Sequence, residues 1–212
     1  MLDTLGTRQQ QLLHLLLDHK SGLTVDELAD ALQITRTAVT QHLAVLERDG
    51  YVMKGNLQKT GGRPGRVYVL SPQGTHLFPK QYAWFANLLL GMLRKELGER
   101  GLVERLHGLA AELSGDLRAR LAGKAPEDQV AEVVAIMNEL AYEARALPGA
   151  DPERSGIEAK NCIYHDMARS YPEVCQFDIA LLSQLLGSEV EHVECMVRGG
   201  NACRFLFGKP RP

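Results

Sequence analysis

The sequence predicts an α+β protein that is mainly helical, with an N-terminal winged helix-turn-helix, linking helices, and a small C-terminal antiparallel sheet packed with helices. Three observations predict this class: amphipathic helical segments in the first fifty residues, a basic Gly-Pro hairpin after them, and alternating segments near the end. The 212 residues, 45% hydrophobic and 24% charged, suffice for two ordinary cores. We expect a winged-helix domain at 1–80, linking or dimerisation helices at 81–125 and a cysteine-containing domain at 126–212.

Three helices are predicted in succession in the first fifty residues. The first opens with a capping-box pattern at 7–10, and the second opens with another at 24–27. A two-residue connection at 33–34 leads to Thr35, the expected N-cap of the third helix. Two helices joined by so short a turn predict a helix-turn-helix.

The third predicted helix has one apolar and one polar face. Val39, Leu43 and Leu46 follow the spacing of a helix packed on one side, and no acidic residue precedes Glu47 on the other face. Polar side chains there can donate to phosphates or reach base edges from the major groove of duplex DNA. The alternative is an ordinary solvated surface. The candidate DNA contacts are Thr35, Arg36, Thr37, Thr40, Gln41 and His42.

A basic hairpin is predicted after the third helix. Residues 51–53 and 67–70 predict two strands, and the glycines and proline at 61–65 predict the turn between them. We expect Lys59, Arg63 and Arg66 to contact phosphates or the minor groove. Residues 1–80 hold nine Lys/Arg against seven Asp/Glu, whereas 81–212 hold fifteen against nineteen, so the positive charge is local. These features together predict binding to double-stranded DNA.

The N-terminal sequence resembles a known family of regulators. Residues 35–43 (TRTAVTQHL), 46–52 (LERDGYV), 62–64 (GRP), 68–74 (YVLSPQG) and 77–82 (LFPKQY) are similar to ArsR/DeoR-like winged-helix transcription regulators. They are especially similar to the SufR-like subgroup, repressors of iron–sulfur cluster assembly genes. The resemblance implies a repressor, and we expect it to bind an inverted-repeat operator.

The helix predicted at 81–97 has a wide apolar face. A small basic domain cannot cover all of this face, so we expect part of it to contact another chain. Packing against the C-terminal domain of the same chain is the alternative, and both can hold together. DNA-binding modules of this kind usually pair to read two half-sites, which favours a homodimer. The apolar residues are Trp84, Phe85, Leu88, Leu89, Met92 and Leu93.

All four cysteines, Cys162, Cys175, Cys195 and Cys203, lie in the last quarter of the chain. We expect Cys162 to end a strand, Cys175 to start a helix, Cys195 to lie within a strand and Cys203 to open the last one. Twelve, nineteen and seven residues separate them, unlike the paired spacing of zinc ribbons. In a reducing compartment such a cluster indicates metal, an iron–sulfur cluster or redox chemistry. The alternative is that they are small buried hydrophobes.

The cysteine pattern is also similar to the C-terminal half of SufR-like regulators, in which cysteines bind an iron–sulfur cluster. The resemblance implies that Cys162, Cys175, Cys195 and Cys203 are the ligands, with His165 or a water as an alternative to one thiolate. Zinc is the alternative metal. A regulator that senses a small organic effector and a protein-interaction adaptor are the alternative functions.

Other classes of protein are disfavoured. No apolar run approaches the roughly 20 residues of a membrane span, and no secretory signal is evident, so we expect a cytoplasmic protein without a membrane partner. Nucleophilic catalysis needs a positioned base, for which no histidine motif is present. The glycines at 61–65 lack the spacing of a phosphate-binding loop. We therefore do not expect an enzyme.

Overall fold

The structure, a computed structural model, describes residues 2–58, 65–151 and 154–208. The chain divides into two compact units, residues 1–81 and 82–212. The helices are α1 (Thr7–Asp18), α2 (Val25–Leu32), α3 (Arg36–Arg48), α4 (Pro72–His76), α5 (Tyr82–Leu117), α6 (Pro126–Glu139), α7 (His165–Ser170) and α8 (Cys175–Leu186). The strands are β1 (Leu23–Thr24), β2 (Val52–Gln58), β3 (Gly65–Leu70), β4 (Ala144–Asp151), β5 (Arg154–Ala159), β6 (Val190–Glu194) and β7 (Cys203–Gly208).

The N-terminal unit is a winged helix-turn-helix. Its three antiparallel strands have the order β1-β3-β2, so β3 is central. Strand β1, which the sequence did not predict, pairs Leu23 with Tyr68. The apolar faces of α1, α2 and α3 meet in one core, which includes Leu12, Leu28 and Leu43. The predicted fold class is confirmed for this unit.

Three predicted helix starts have different outcomes. The capping box of α2 is confirmed, because Glu27 N donates to Thr24 Oγ1 (3.3 Å) and Thr24 N donates to Glu27 Oε2 (2.7 Å). Thr35 caps α3 by accepting from Ala38 N at 3.2 Å. The box predicted at 7–10 was wrong. Gly6 is the N-cap of α1 and has no side chain to offer, so only Gln9 contributes, by accepting from Gly6 N at 3.1 Å.

Helix α5 is interrupted at Gly98, whose φ of 71° is left-handed and suits a residue without a Cβ. The interruption divides α5 into α5a (residues 82–97) and α5b (residues 99–117), and α5a corresponds to the helix predicted at 81–97. Both lie in the same compact unit as the cysteines. The predicted boundary at residue 125 stays a prediction.

The C-terminal unit contains an antiparallel sheet of order β4-β5-β7-β6 packed with helices. Ile157, Phe205 and Phe207 lie in its core with the buried face of α8. Strand β4 continues to Asp151, and α6 buries Ile136, whereas Leu140, just after α6, is 41% exposed. In the part of the chain that the structure describes, no helix is long and apolar enough to cross a membrane.

Candidate functional site

The candidate DNA-binding face lies on α3. Val39, Leu43 and Leu46 are buried and fix which side of the helix faces outward. Of the candidate contacts, His42 is half-buried. The exposed candidates on or next to this helix are Thr35, Arg36, Thr37, Thr40 and Gln41.

The turn before α3 positions this face. Gln33 adopts a left-handed conformation (φ 52°), and Ile34 N donates to Ala29 O at 3.1 Å, which ends α2. Arg36 Nε lies 2.7 Å from Asp26 Oδ1, with both side chains more than half exposed. Because exposed ion pairs contribute little, Arg36 can exchange this carboxylate for a phosphate at small cost.

The wing hairpin is described in part. Strands β2 and β3 pair Leu57 with Arg66, and Arg66 is exposed near the start of β3. The other predicted wing contacts, Lys59 and Arg63, lie outside the described residues. Their role in DNA binding stays a prediction.

The four cysteines come from four different places in the C-terminal unit. Cys175 begins α8 and Cys203 begins β7, as predicted. Cys162 lies in a turn after β5, which ends at Ala159, so the prediction that it ends a strand was wrong. Cys195 follows the last residue of β6 instead of lying within a strand, because a 3-10 turn begins at Met196.

The Gly-Gly loop returns the chain from Cys195 to Cys203. Arg198 N and Gly200 N both donate to Cys195 O, at 3.1 and 2.9 Å. Gly199 has a φ of 91°, and a Cβ at Gly200 would lie only 2.9 Å from Cys195 O. The two glycines therefore allow a tight reversal that brings the two cysteines together.

A histidine joins these two cysteines. A ring nitrogen of His192 and the Sγ atoms of Cys195 and Cys203 all lie within 4.8 Å of one another. The imidazole stacks on Phe205 with ring centroids 4.6 Å apart. Its Nε2 atom is buried without a hydrogen-bond partner among the described residues. Burial and the nearby Arg198 lower the pKa of His192, which favours the neutral ring that binds metals.

Sequence reasoning missed His192 and offered His165, which is exposed at the start of α7. The available signal was the spacing of His192, three residues before Cys195 and eleven before Cys203. That signal was weak, because His192 lies close to the end of a strand and the sequence did not define where that strand ends.

Burial makes three of the thiols less acidic than a free cysteine. It raises the pKa of Cys175 and of Cys203 to about 12, and it also raises the pKa of Cys162. Interaction with Cys195 adds a smaller increase to the pKa of each of these three thiols. Such protonated thiols are poor nucleophiles, and a bound metal must displace their protons.

A buried carboxyl group adjoins the thiols. Tyr142 Oη lies 2.6 Å from Asp178 Oδ1 and 3.0 Å from Tyr164 Oη. Burial raises the pKa of Asp178 to about 7. Its negative charge contributes to the raised pKa of Cys162, Cys175 and Cys203. A metal cation among the thiols would stabilise their thiolate forms beside this carboxyl group.

The arrangement fits a bound metal or cluster. Buried soft donors, together with a buried imidazole nitrogen that has no partner among the described residues, suit iron–sulfur clusters and zinc. The structure brings two of the predicted cysteines, Cys195 and Cys203, together with the imidazole of His192, and it places Cys162 and Cys175 in the same compact unit. Which of them bind metal stays a prediction.

An apolar cavity of about 270 Å³ lies in the same unit. Segments α5a and α5b form one side of it, and α7, α8 and the turn between them form the other. Among the described residues that line it, only Tyr164 carries a side-chain oxygen or nitrogen. The lining residues are Ala86, Leu89, Leu90, Leu106, Leu109, Tyr164, Met167, Val174 and Phe177.

Comparison with known proteins agrees with the N-terminal fold. A family model described as an HTH domain matches residues 8–63. No curated protein matches the chain.

Several solved structures are weakly similar. The S. aureus MepR–DNA complex is 25% identical over 50% of this chain and 82% of that chain, with a TM-score of 0.32. MepR alone, a transcription regulator of the Staphylococcus aureus multidrug efflux pump MepA, is 20% identical over 64% and 80%, with a TM-score of 0.29. The phenol-responsive sensory domain of the transcription activator PoxR, with phenol, is 12% identical over 80% and 89%, with a TM-score of 0.46. Structural similarity at these TM-scores does not support any conclusion about the ligands or the assembly of this chain.

Proposed function

The helix-turn-helix domain makes this chain a DNA-binding transcriptional regulator, and we propose that it is a cytoplasmic, homodimeric repressor of the SufR-like kind. It binds an inverted-repeat operator through α3 and the wing, and it senses an iron–sulfur cluster held by Cys162, Cys175, Cys195 and Cys203. The observation that supports the proposal is the close approach of Cys195, Cys203 and a ring nitrogen of His192, all within 4.8 Å of one another, with Cys162 and Cys175 in the same compact unit.

The four thiols suit a cluster because thiolates are its usual protein ligands. When bound, a cluster would supply sensitivity to oxidation and to iron supply. The chain holds it, shields it by burying Cys195 and Cys203, and must release the thiol protons as it binds. Loss of the cluster restores buried, unpaired donors, which favours a rearrangement of this region.

An exposed apolar stripe on α5a supports the homodimer. Trp84, Leu88 and Met92 follow each other at helical i, i+4 spacing and, with Phe85, are 50–59% exposed. An aromatic side chain has a surface of about 150–250 Å². Trp84 and Phe85 are each more than half exposed, so these two residues alone leave roughly 200 Å² of apolar surface in solvent. With Leu88 and Met92 the stripe reaches the few hundred Å² that marks an interaction site. A second copy of the chain is the occupant that a paired operator requires.

Covalent connection links the sensor to the DNA-binding unit. Helix α5a begins at Tyr82, directly after the unit that ends at Gln81. A ligand shifts a conformational equilibrium only if it binds one state better. Cluster occupancy that displaces α5a therefore changes the spacing of the two α3 helices and so the operator affinity.

The proposal is tested by anaerobic purification, followed by absorption spectroscopy and iron and sulfide analysis. We expect a coloured protein with stoichiometric iron and sulfide, and loss of both in the Cys195→Ser variant. A Ser183→Ala variant, changed away from the thiols, should keep the cluster. Colourless, iron-free protein that also fails anaerobic reconstitution would contradict cluster sensing and leave DNA binding untouched.

The apolar cavity favours a second candidate, a regulator that senses a small organic effector. An apolar cavity of about 150 Å³ takes up benzene, so about 270 Å³ accommodates a one- or two-ring molecule. The hydroxyl of Tyr164 already hydrogen-bonds that of Tyr142, which leaves an apolar lining. This candidate predicts that naphthalene or indole raises the melting temperature of the wild type but not of a Leu90→Trp variant, whose cavity is filled. Equal shifts in both proteins would contradict it.

A further inference from the structure

We propose that His192 is a metal ligand, which binds through Nε2 together with the thiolates of Cys195 and Cys203. The three donors form a site for one thiophilic ion, either zinc or one iron of a cluster. This inference rests on the metal centre of the proposed function and extends it to a residue outside the cysteine set.

The separation of the donors fits a single ion. With metal–sulfur bonds of about 2.3 Å and metal–nitrogen bonds of about 2.0–2.1 Å, two donors of a tetrahedral zinc lie roughly 3.5–3.8 Å apart. The ring nitrogen of His192 and the thiols of Cys195 and Cys203 lie within 4.8 Å of one another. Movements of about an ångström therefore complete the site, without a change in the β6–β7 pairing.

The hydrogen bonding of the imidazole leaves the required nitrogen free. Nε2 is buried and has no hydrogen-bond partner among the described residues, so it is free to bind a metal in the neutral ring. A metal-binding histidine typically donates its second ring nitrogen to a backbone carbonyl, a carboxylate or water, which leaves Nδ1 of His192 for that role.

The ring orientation is set by the sheet. His192 faces Phe205 in the β6–β7 register, and the two rings stack nearly parallel, at an interplanar angle of 16°. Burying a nitrogen without a hydrogen-bond partner is unfavourable, so a purely structural role leaves that cost uncompensated. A metal bond to Nε2 removes it.

A histidine ligand changes what the centre can do. A neutral imidazole in place of a thiolate reduces the negative charge of the site by one. In iron–sulfur proteins this exchange raises the reduction potential. Four ligands then consist of His192, Cys195, Cys203 and one further cysteine, which leaves the last cysteine unbound and available for ligand exchange. Cys162 and Cys175 are the candidates for the fourth ligand and for the unbound cysteine.

Titration of the metal-free full-length protein with Co²⁺ tests whether the three donors bind a single zinc-like ion. We expect tetrahedral ligand-field bands and thiolate charge transfer in the wild type. His192→Ala and His192→Gln should weaken Co²⁺ binding by at least about tenfold, because even loss of a supporting residue costs that much. His192→Cys should restore binding with added thiolate charge transfer. The exposed His107→Ala, on α5b, is the matched control and should behave as wild type.

Anaerobic reconstitution with iron and sulfide tests whether His192 binds one iron of a cluster. Pulsed electron paramagnetic resonance of the reduced cluster should show coupling to a nitrogen ligand in the wild type and His107→Ala, and none in His192→Ala or His192→Gln. Unchanged Co²⁺ affinity and unchanged cluster spectra in folded His192 variants would overturn the proposal while leaving the cysteine centre intact. Wild-type protein that binds neither Co²⁺ nor a cluster would overturn both.

Discussion

Arg204 Nε donates a hydrogen bond to Glu158 Oε2 at 2.8 Å, across the paired strands β5 and β7. Arg145 Nε donates to the other carboxylate oxygen at 2.9 Å, so the buried carboxylate is held from two sides. Arg204 directly follows Cys203 in β7. The carboxylate therefore fixes the strand that carries one of the candidate ligands.

This arrangement predicts a pH-dependent stability. Hydrogen bonds from Arg204 and Arg145 hold the pKa of Glu158 below its usual range. A lowered pKa in the folded state stabilises the protein above the ordinary Glu pKa of about 4.3, and the contribution is lost as the pH falls through the folded value. Urea denaturation should find Glu158→Gln less stable than wild type at pH 7, with a difference that shrinks below about pH 4. The exposed Glu189→Gln should show no such difference, and a pH-independent loss in Glu158→Gln would contradict the assignment.

The capping box of α2 predicts a local stability effect. Thr24→Ala removes the hydroxyl that accepts from Glu27 N and should lower the free energy of unfolding by about 1 kcal/mol. Thr24→Ser retains the acceptor and should recover most of the loss. Chemical denaturation monitored by circular dichroism measures both variants. Equal losses in the two would mean that the methyl group of Thr24, rather than its hydroxyl, is responsible.

The α3 face and the wing predict different DNA-binding defects. Gln41→Ala should change base preference in selection from random duplexes, since Gln41 is exposed on the candidate base-reading face. Arg66→Ala should weaken binding to all sequences alike and lower the salt dependence by about one phosphate contact. Lys160→Ala, an exposed base in the other unit, controls for net charge. Equal effects of Gln41→Ala and Arg66→Ala on every sequence would contradict this division, and binding without salt dependence would favour the protein-interaction adaptor.

The exposed stripe on α5a predicts the residues that pair two chains. Leu88→Glu should give a monomer by light scattering after gel filtration, because a buried unpaired carboxylate opposes association. It should also weaken operator binding, which depends on two modules acting together. Leu140→Glu, at a 41% exposed leucine just after α6, is the matched control and should leave the dimer intact. A dimeric Leu88→Glu protein would place the interface elsewhere.

Local patterns predicted the elements better than the functional centre. The periodicity of α1–α3 and the glycine-rich wing defined the DNA-binding unit, because their hydrogen bonds and caps connect residues close in sequence. The errors near Cys162 and Cys195 have another origin. Strand ends depend on pairing with β7, which lies far along the chain, and His192 became a candidate only through the β6–β7 register. No local pattern encodes such contacts.

The most direct test of metal-controlled DNA binding compares one preparation before and after metal removal. Affinity for a duplex selected from random sequence should be measured anaerobically for the loaded protein, the metal-free protein and the reloaded protein. We predict a reversible change of roughly 5–150-fold, the usual range of coupling between two sites, and no change in Cys195→Ser. Identical affinities for loaded and metal-free wild type would contradict the account, whatever metal the centre binds.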